Sequence, residues 1–287
     1  ARAVEDGKFD LVHCMTPITP RYAYHISQAC RTIPFLLGPV NGGIPFPRGF
    51  RAIAFREFGY LNFLRGLGRW LPGYRKTYNR ADLILAGSEY TLKHIAESFD
   101  KSDQQLRLLS ENGVDSSFYE ASGRSPLEKF GVDLVGRLVP YKGVDMALES
   151  VAGLSSETLS KIRLRIAGDG PERTKLESLA RRLEITDKVQ FLGKIPQSET
   201  AHLYRTSHAF CFPSVKEFGG AVVLEAMACG LPQIVVNYGG IGEYATSRTG
   251  LLIEPTNRAG VIQGLSESIE ILARDPELRE RLARGSI

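Results

Sequence analysis

Short, mainly apolar runs alternate along the chain with longer segments in which apolar residues recur at helical spacing. The runs at 130–135, 209–212 and 233–236 are bounded by glycine, proline or polar residues. Such runs predict buried strands, and the periodic segments between them predict helices. Because strands and helices alternate, the predicted fold class is α/β, with parallel sheets covered by helices.

The first part of the chain contains four predicted strands and several helices. The strands are predicted at 9–14, 33–39, 81–88 and 106–115. Helices are predicted at 21–31 and 89–99, with two or three more between 50 and 79.

A small, polar stretch at 121–126 ends in proline and is typical of a linker. After it, strands are predicted at 130–135, 163–167, 189–192, 209–212, 233–236 and 251–255. Helices are predicted at 144–154, 172–183, 197–204, 221–229 and 258–273, with a last one from Pro276. The chain therefore divides into two predicted domains, 1–125 and 126–287.

Candidate chemistry concentrates in the stretch 209–243. Glu217 and Glu225 lie there with seven residues between them, and a helix opens at Gly219–Gly220. From 221 to 229 the only polar residue is Glu225, which predicts a helix buried on all sides. The free N–H groups of a helix start favour an anion, and carboxylates accept hydrogen bonds from hydroxyls. A diphosphate between two sugars, as in a nucleotide-sugar, fits this combination.

Two cations follow the predicted strand at 130–135. Arg137 and Lys142 lie five residues apart on one loop, and open α/β sheets bind ligands at the carboxyl ends of their strands. Such a pair could clamp a diphosphate and stabilise the charge that develops as it leaves. The alternative is a solvated basic loop.

The chain resembles a known family on several ordered motifs. These are GRLVPYKG (136–143), IAGDGPE (166–172), FLGKI (191–195), and the E-x7-E pair, whose second glutamate lies in the helical stretch LEAMACG (224–230). Together they resemble the donor site of the retaining GT-B glycosyltransferases of family 4. The resemblance implies two Rossmann-like domains with parallel sheets, the first of them incomplete, with further strands before Ala1.

This resemblance also implies an activity. A hexosyltransferase-type enzyme (EC 2.4) would move a sugar from a nucleoside diphosphate sugar to a hydroxyl of a glycan or lipid-linked acceptor, as in polysaccharide biosynthesis. No cofactor and no metal would be needed. Arg137 and Lys142 would stabilise the leaving diphosphate, Glu217 would position the donor sugar, and Glu225 would accept hydrogen bonds from the ribose diol.

Further donor contacts are implied around these residues. Backbone groups would come from Phe218, Gly219, Gly220, Ala221 and Val222. Gly168 and Asp169 would form a turn at the site, and Lys194 and Ile195 would frame the nucleobase. The alternatives are a surface acid for Glu217, a carboxylate paired with a buried Lys or Arg for Glu225, and simple helix packing for the glycines.

In the first domain, the resemblance places His13 opposite the donor sugar, as a fourth catalytic candidate. A core or capping histidine is the alternative. The motif GPVNGG places Asn41, Gly42 and Gly43 at the acceptor cleft, with asparagine where one branch of the family has glycine.

Composition and charge add one unusual segment. The apolar share is 43%, the charged share 24% and the net charge +4, as in ordinary globular proteins. Yet 46–80 contains eight Arg or Lys, one acid and nine aromatic residues. It could be a peripheral membrane surface or a helical hairpin with its aromatic residues packed inside. Four scattered cysteines indicate reduced thiols and a cytoplasmic protein, peripheral to the inner membrane face if 46–80 binds lipid.

Other functions fit the sequence less well. The stretch GDGPER (168–173) lacks the third glycine of a nicotinamide-binding fingerprint, and Tyr141 stands where a P-loop needs glycine. The sequence contains no D-x-D motif, so a metal-bridged diphosphate is not indicated. No nucleic-acid-binding module is recognised either. A non-catalytic nucleotide-sugar binding module and, less favoured, a Rossmann oxidoreductase remain the alternatives.

Overall fold

The computed structural model describes residues 2–15, 23–57, 71–119 and 128–287. They divide into two compact units. The first unit comprises residues 1–45 and 58–112, and the second comprises 46–57 and 113–287. The predicted boundary at 125–126 and the predicted linker both lie outside the described residues.

Strands and helices alternate, as the apolar pattern predicts. Within the described ranges the strands are β1 (Val12–Cys14), β2 (Phe35–Val40), β3 (Leu83–Ala86), β4 (Leu106–Leu108), β5 (Phe130–Val135), β6 (Ile162–Ala167), β7 (Val189–Gly193), β8 (Ala209–Phe212), β9 (Gln233–Val236) and β10 (Gly250–Ile253). The α-helices are α1 (Arg2–Glu5), α2 (Arg51–Arg56), α3 (Tyr74–Arg80), α4 (Glu89–Phe99), α5 (Val144–Ala152), α6 (Ser156–Lys161), α7 (Arg173–Arg182), α8 (Gln197–Arg205), α9 (Ala221–Ala228), α10 (Ile241–Tyr244), α11 (Arg258–Arg274) and α12 (Pro276–Ser286).

The first unit is built on a parallel sheet of order β1-β2-β3-β4. Its core joins buried residues of the strands, such as Phe35 and Ile84, to Tyr78 of α3 and Ile95 of α4. The ring of Tyr78 stacks on Phe99 with centroids 4.3 Å apart.

Two predictions in the first unit are wrong. The strand predicted at 106–115 ends at Leu108. Its neighbour β3 pairs with it from Ile84 to Ala86, and residues 109–111, which follow Leu108, are exposed. The described part of the helix predicted at 21–31 is a 3₁₀ turn, His25–Gln28. There the Ser27 hydroxyl donates to the Tyr24 carbonyl, a local bond that competes with an α-helix.

The second unit contains a six-stranded parallel sheet of order β10-β9-β8-β5-β6-β7. Both faces of the sheet are covered. In β8, Phe210 and Phe212 contribute to one buried cluster with α8 and α9, and Cys211 contributes to the opposite cluster with α5, α7 and α11. This is the doubly wound α/β arrangement, so the predicted fold class is confirmed.

Residues 46–57 belong to the second unit, although in sequence they lie far from the rest of it. Phe50 and Ile53 are buried in the same cluster as the β5 residues Val132 and Leu134. The sequence pattern gave no indication of this, because an amphipathic helix does not show which sheet it packs against.

Candidate functional site

The site lies where the strand order of the second sheet reverses. Strand β5 pairs with β6 on one side and β8 on the other, and later strands continue outward from each. Ligands of open α/β sheets bind in the crevice at the carboxyl ends of the strands at such a reversal. The loops that leave β5 and β8, 136–143 and 213–220, therefore form the candidate site.

These two loops are joined through Tyr141. The Val215 N–H donates to the Tyr141 carbonyl at 2.9 Å, and the Ser214 hydroxyl donates to the same oxygen at 3.3 Å. Gly143 has φ of 69°, and a Cβ there would lie 2.4 Å from the Pro213 carbonyl oxygen. A larger residue would force the loops apart, so glycine is required at 143.

Lys142 and Glu217 meet across these loops. The Lys142 ammonium donates a hydrogen bond to the Glu217 Oε2, and the side chains are 14% and 17% exposed. The ammonium also lies 4.6 Å from the ring centroid of Phe212. The structure thus brings together two residues that the sequence predicted separately, and the alternative of a surface acid does not describe Glu217.

Arg137 lies at the start of the same loop and is exposed. Burial, together with Glu217 and Glu57, raises the pKa of the half-buried Tyr141, and the charge of Arg137 opposes this rise. An exposed guanidinium and a partly buried ammonium on one loop can both contribute to binding an anion.

The turns after β5, β6 and β7 pack on one another through glycine. Gly168 has φ of 136°, and a Cβ there would lie 1.9 Å from the Gly136 carbonyl oxygen. The Gly168 N–H donates to the Gly193 carbonyl at 2.7 Å, and the Leu138 N–H donates to the Asp169 carbonyl at 3.0 Å. These contacts fix the course of the loop that carries Arg137.

The remaining predicted residues of these turns lie close by. The exposed Asp169 accepts a hydrogen bond from the Gly170 N–H at 2.8 Å, so its carboxylate is used within the turn. Lys194 is exposed and Ile195 is half-buried, directly after β7.

The N-terminus of α9 has no side-chain cap, so its N–H groups are available to an anion. Gly220 precedes the helix with φ of 63° and offers no side-chain cap to its N–H groups. The loop after β9 supports it, because the Gly240 N–H donates to the Glu217 carbonyl at 3.2 Å. A Cβ at Gly240 would lie 1.9 Å from the Phe218 carbonyl oxygen.

The prediction that α9 is buried on all sides is wrong. Val223 and Ala226 are buried, but Ala221, Val222 and Leu224 are only half-buried. The reason is its position: the first turns of α9 lie at the carboxyl edge of the sheet, where the site opens.

Glu225 lies in the second turn of α9 and is half-buried. Its Oε1 accepts a hydrogen bond from Gln197 Nε2 at 3.3 Å. Burial raises the pKa of the Glu225 carboxyl, and the Gln197 bond partly opposes this rise. Among the described residues no Lys or Arg forms an ion pair with it, so the alternative of a paired structural carboxylate does not describe it.

Gln197 is a candidate site residue that sequence reasoning missed, because it bonds Glu225. It is the first residue of α8, two positions after Ile195. Only its proximity in sequence to the FLGKI motif could have indicated it.

The first-unit candidates are described within that unit. His13, in β1, is exposed, and its Nε2 lies 2.8 Å from the Gly38 carbonyl oxygen. Gly42 and Gly43 have φ of 133° and 83°. All three remain predictions.

Asn41 is 5% exposed, and its side chain is engaged inside the first unit. Its Oδ1 accepts from the Gly42 N–H and from the hydroxyls of Ser88 and Thr91, and its Nδ2 donates to Glu111. Ser88 in turn caps α4. The amide thus ties the predicted acceptor loop to the start of α4 and would present only backbone to an acceptor.

The basic and aromatic segment 46–80 is partly described. Phe50 and Tyr78 are buried, whereas Phe55 is 69% exposed. Residues 58–70 lie outside the described part. No helix within the described ranges is long and apolar enough to cross a membrane.

Solved structures share this architecture. Anabaena HepE, crystallised with UDP, superposes with a TM-score of 0.72 over 99% of this chain and 75% of its own, at 19% identity. The two units are Rossmann-like domains of the kind found in GT-B glycosyltransferases.

The sequence places the chain in a family. A model described as "Glycosyl transferases group 1" matches residues 115–286, more than half of the chain. The protein therefore belongs to the group 1 glycosyltransferase family.

Two curated relatives illustrate the similarity. The D-inositol 3-phosphate glycosyltransferase of Frankia alni is 27% identical over 99% of this chain and 70% of its own length. A phosphatidylinositol N-acetylglucosaminyltransferase component from Arabidopsis thaliana is 28% identical over 56% of this chain. This second alignment spans only 36% of the relative's length, and others span about half.

Proposed function

We propose that the second unit binds a nucleoside diphosphate sugar, and that the protein transfers the sugar, with retention of configuration, to a hydroxyl of a glycan or lipid-linked acceptor. The observation that carries this proposal is the Lys142–Glu217 pair at the strand reversal, beside the open start of α9. A cation, a carboxylate and free N–H groups converge where the diphosphate and the sugar would lie.

Each group has a role in the proposed reaction. Lys142, the exposed Arg137 and the first N–H groups of α9 stabilise the negative charge on the departing diphosphate. Glu217, released from Lys142 as the diphosphate enters, accepts hydrogen bonds from sugar hydroxyls and holds the anomeric carbon in place. The acceptor hydroxyl attacks from the face that the diphosphate leaves, so no enzymic nucleophile is required.

Recognition of the nucleoside would fall to the far side of the site. Glu225 accepts hydrogen bonds from the ribose diol, and Gln197 holds its carboxylate toward the site. HepE was crystallised with UDP, one relative is named for D-inositol 3-phosphate, and another is named for phosphatidylinositol. UDP-sugars are therefore the first donors to test, and D-inositol 3-phosphate and phosphatidylinositol are the first acceptors.

The function is tested by nuclear magnetic resonance. The protein is incubated with a UDP-, GDP- or ADP-linked α-sugar, alone and with inositol phosphate or glycan acceptors. An α-linked product, or slow release of the α-sugar without acceptor, is expected. A β-linked product would contradict retention, and binding without any turnover would favour the non-catalytic binding module.

A peripheral membrane surface at 46–80 remains a second proposal. The exposed Phe55, with arginines at 48, 51 and 56, supports it. Sedimentation with two kinds of vesicle tests it, one of phosphatidylcholine with phosphatidylserine and one of phosphatidylcholine only. The protein is expected to sediment with the anionic vesicles and not with the neutral ones, and Phe55→Ser should weaken this binding. Failure to sediment with either kind would contradict the proposal.

A further inference from the structure

Residues 46–57, here called the crossing segment, pass over the carboxyl edge of the six-stranded sheet. A Cβ at Gly49 would lie 2.0 Å from the carbonyl oxygen of Thr256, just after β10. Helix α2 packs on the turn Pro140–Lys142 after β5. Arg56 forms an ion pair with Glu172 beyond β6, at 2.8 Å. The segment thus contacts several of the loops that build the donor site.

At its start the crossing segment touches the loop after β8. The Lys216 ammonium lies 4.2 Å from the ring centroid of Phe46, which is close enough for a cation–π interaction. Phe46 is half-buried and packs against the core cluster of the second unit, so its ring is held in place. Lys216 immediately precedes Glu217.

We propose that Phe46 is a positioning residue of the donor site. Its ring holds Lys216, and through the backbone this fixes Glu217 where it can bond Lys142 and, later, the donor. The inference rests on the proposed function, and it adds a residue outside every motif that indicated the site.

The backbone around Glu217 shows why a hold on Lys216 matters. The Ser214 hydroxyl donates to the Lys216 carbonyl at 3.4 Å, and the Gly240 N–H donates to the Glu217 carbonyl at 3.2 Å. The Ser214 bond is longer than the range for good O–H···O hydrogen bonds, and the Gly240 bond is at the long end of the range for N–H···O bonds. The Phe46 ring is thus a further support, and it acts on the side chain of Lys216.

The ring, rather than its bulk, is the part that acts. Phe46→Leu keeps an apolar side chain but has no π face, and Phe46→Tyr keeps the π face. Lys216→Met keeps most of the stem but loses the charge. The control is Phe55→Leu, because Phe55 is an exposed aromatic residue of the same segment.

The experiment uses calorimetry to measure the affinity of each variant for UDP, GDP and ADP and for their glucose conjugates, together with its melting temperature. Phe46→Leu and Lys216→Met are each expected to weaken binding of the glucose conjugate about three- to tenfold, the loss of roughly one hydrogen bond between Glu217 and the sugar, and to leave the affinity for the free diphosphate unchanged. The double variant should be no weaker than either single variant, since both remove the same contact. Phe46→Tyr and Phe55→Leu should bind like the wild type.

The outcomes separate this inference from the proposed function. If the wild type binds none of the three diphosphates, the donor site and this inference fall together. If the wild type binds one diphosphate and its glucose conjugate, Arg137→Ala abolishes both, and Phe46→Leu leaves the affinity for the conjugate unchanged, only this inference is overturned. A lower melting temperature of Phe46→Leu with unchanged affinity for the conjugate, or an equal loss in Phe46→Tyr, would also overturn it.

Discussion

The ammonium of Lys142 donates a hydrogen bond to the carboxylate of Glu217 across the strand reversal of the second sheet. Both side chains are less than a fifth exposed, and the ammonium also faces the ring of Phe212. Removing one partner therefore leaves a charge that is largely desolvated and unpaired. In the proposed reaction, these two groups exchange partners when an anion and a hydroxyl enter the site.

The cost of separating this pair is measurable. Lys142→Met should lower the free energy of unfolding by about 1–3 kcal/mol, because Glu217 loses its partner. Urea unfolding measures this cost. In Lys142→Met/Glu217→Gln the unpaired charge is gone, so the double variant should be more stable than the sum of the single effects predicts. Strictly additive effects would show that the two groups do not interact.

The raised pKa of Glu225 predicts a pH dependence of nucleotide binding. A ribose diol donates hydrogen bonds best to the ionised carboxylate, so affinity should rise as pH increases through the pKa, which lies above the usual 4.5. Gln197→Ala removes the bond that favours the ionised form and should shift this rise to higher pH. Calorimetry between pH 4.5 and 7.5 measures the shift, and Glu225→Gln should abolish the rise. An unshifted profile in Gln197→Ala would contradict the contact.

The Glu225 carboxyl also makes protein stability depend on pH, in the direction opposite to its effect on nucleotide binding. Because the folded-state pKa of Glu225 is raised, the folded protein binds more protons than the unfolded chain between the two pKa values. The contribution of Glu225 to the free energy of unfolding should therefore fall as pH rises from 4.5 through the raised pKa. Glu225→Gln should remove that part of the decline, and a slope identical to the wild type would argue against a buried carboxyl.

Gly168 should tolerate no side chain. Alanine there meets the Gly136 carbonyl oxygen and takes an unfavourable φ of 136°, so we expect a loss of about 1–3 kcal/mol from strain. Diphosphate affinity should fall as well, since the turn supports Arg137. The control is Gly113→Ala, whose Cβ would meet nothing within 4 Å. Thermal unfolding of both variants tests this, and equal melting temperatures of Gly168→Ala and Gly113→Ala would contradict the close contact.

A buried ion pair stabilises the middle of the sheet, away from the site. Arg165 Nε donates to Asp133 Oδ1 at 2.7 Å, and Arg165 Nη2 donates to Oδ2 at 3.0 Å. Asp133→Ala leaves a buried guanidinium without its carboxylate and should cost about 3–5 kcal/mol in unfolding experiments. Lys161→Ala, which breaks an exposed pair with Glu157, should be indistinguishable from the wild type. A small loss in Asp133→Ala would mean that water reaches Arg165.

The sequence predicted strands best where burial is complete. Strands β5, β8 and β9 have the predicted bounds because nearly every residue in them is buried, which leaves a mainly apolar run. The capped helix α6 was missed, although Ser155 accepts a hydrogen bond from the Thr158 N–H. Its few turns carry too little apolar periodicity to be recognised.

The sequence could not predict the contacts of the candidate site that join segments distant in the chain. Motif spacing placed Lys142 and Glu217 on two loops, but only the pairing of β5 with β8 makes those loops neighbours. The same holds for Gln197 beside Glu225 and for Phe46 beside Lys216. Neither Gln197 nor Phe46 lies in a recognisable motif, so only the folded chain reveals these contacts.

The most direct test of the donor site is a calorimetric titration of the wild type and two arginine variants with UDP, GDP and ADP. Arg137 and Arg181 are both exposed, but Arg181 lies in the last turn of α7, away from the carboxyl edge of the sheet. We predict that the wild type and Arg181→Ala bind one diphosphate equally, and that Arg137→Ala loses at least about tenfold in affinity. Equal binding by Arg137→Ala, or no binding of any diphosphate by the wild type, would contradict a donor site at this strand reversal.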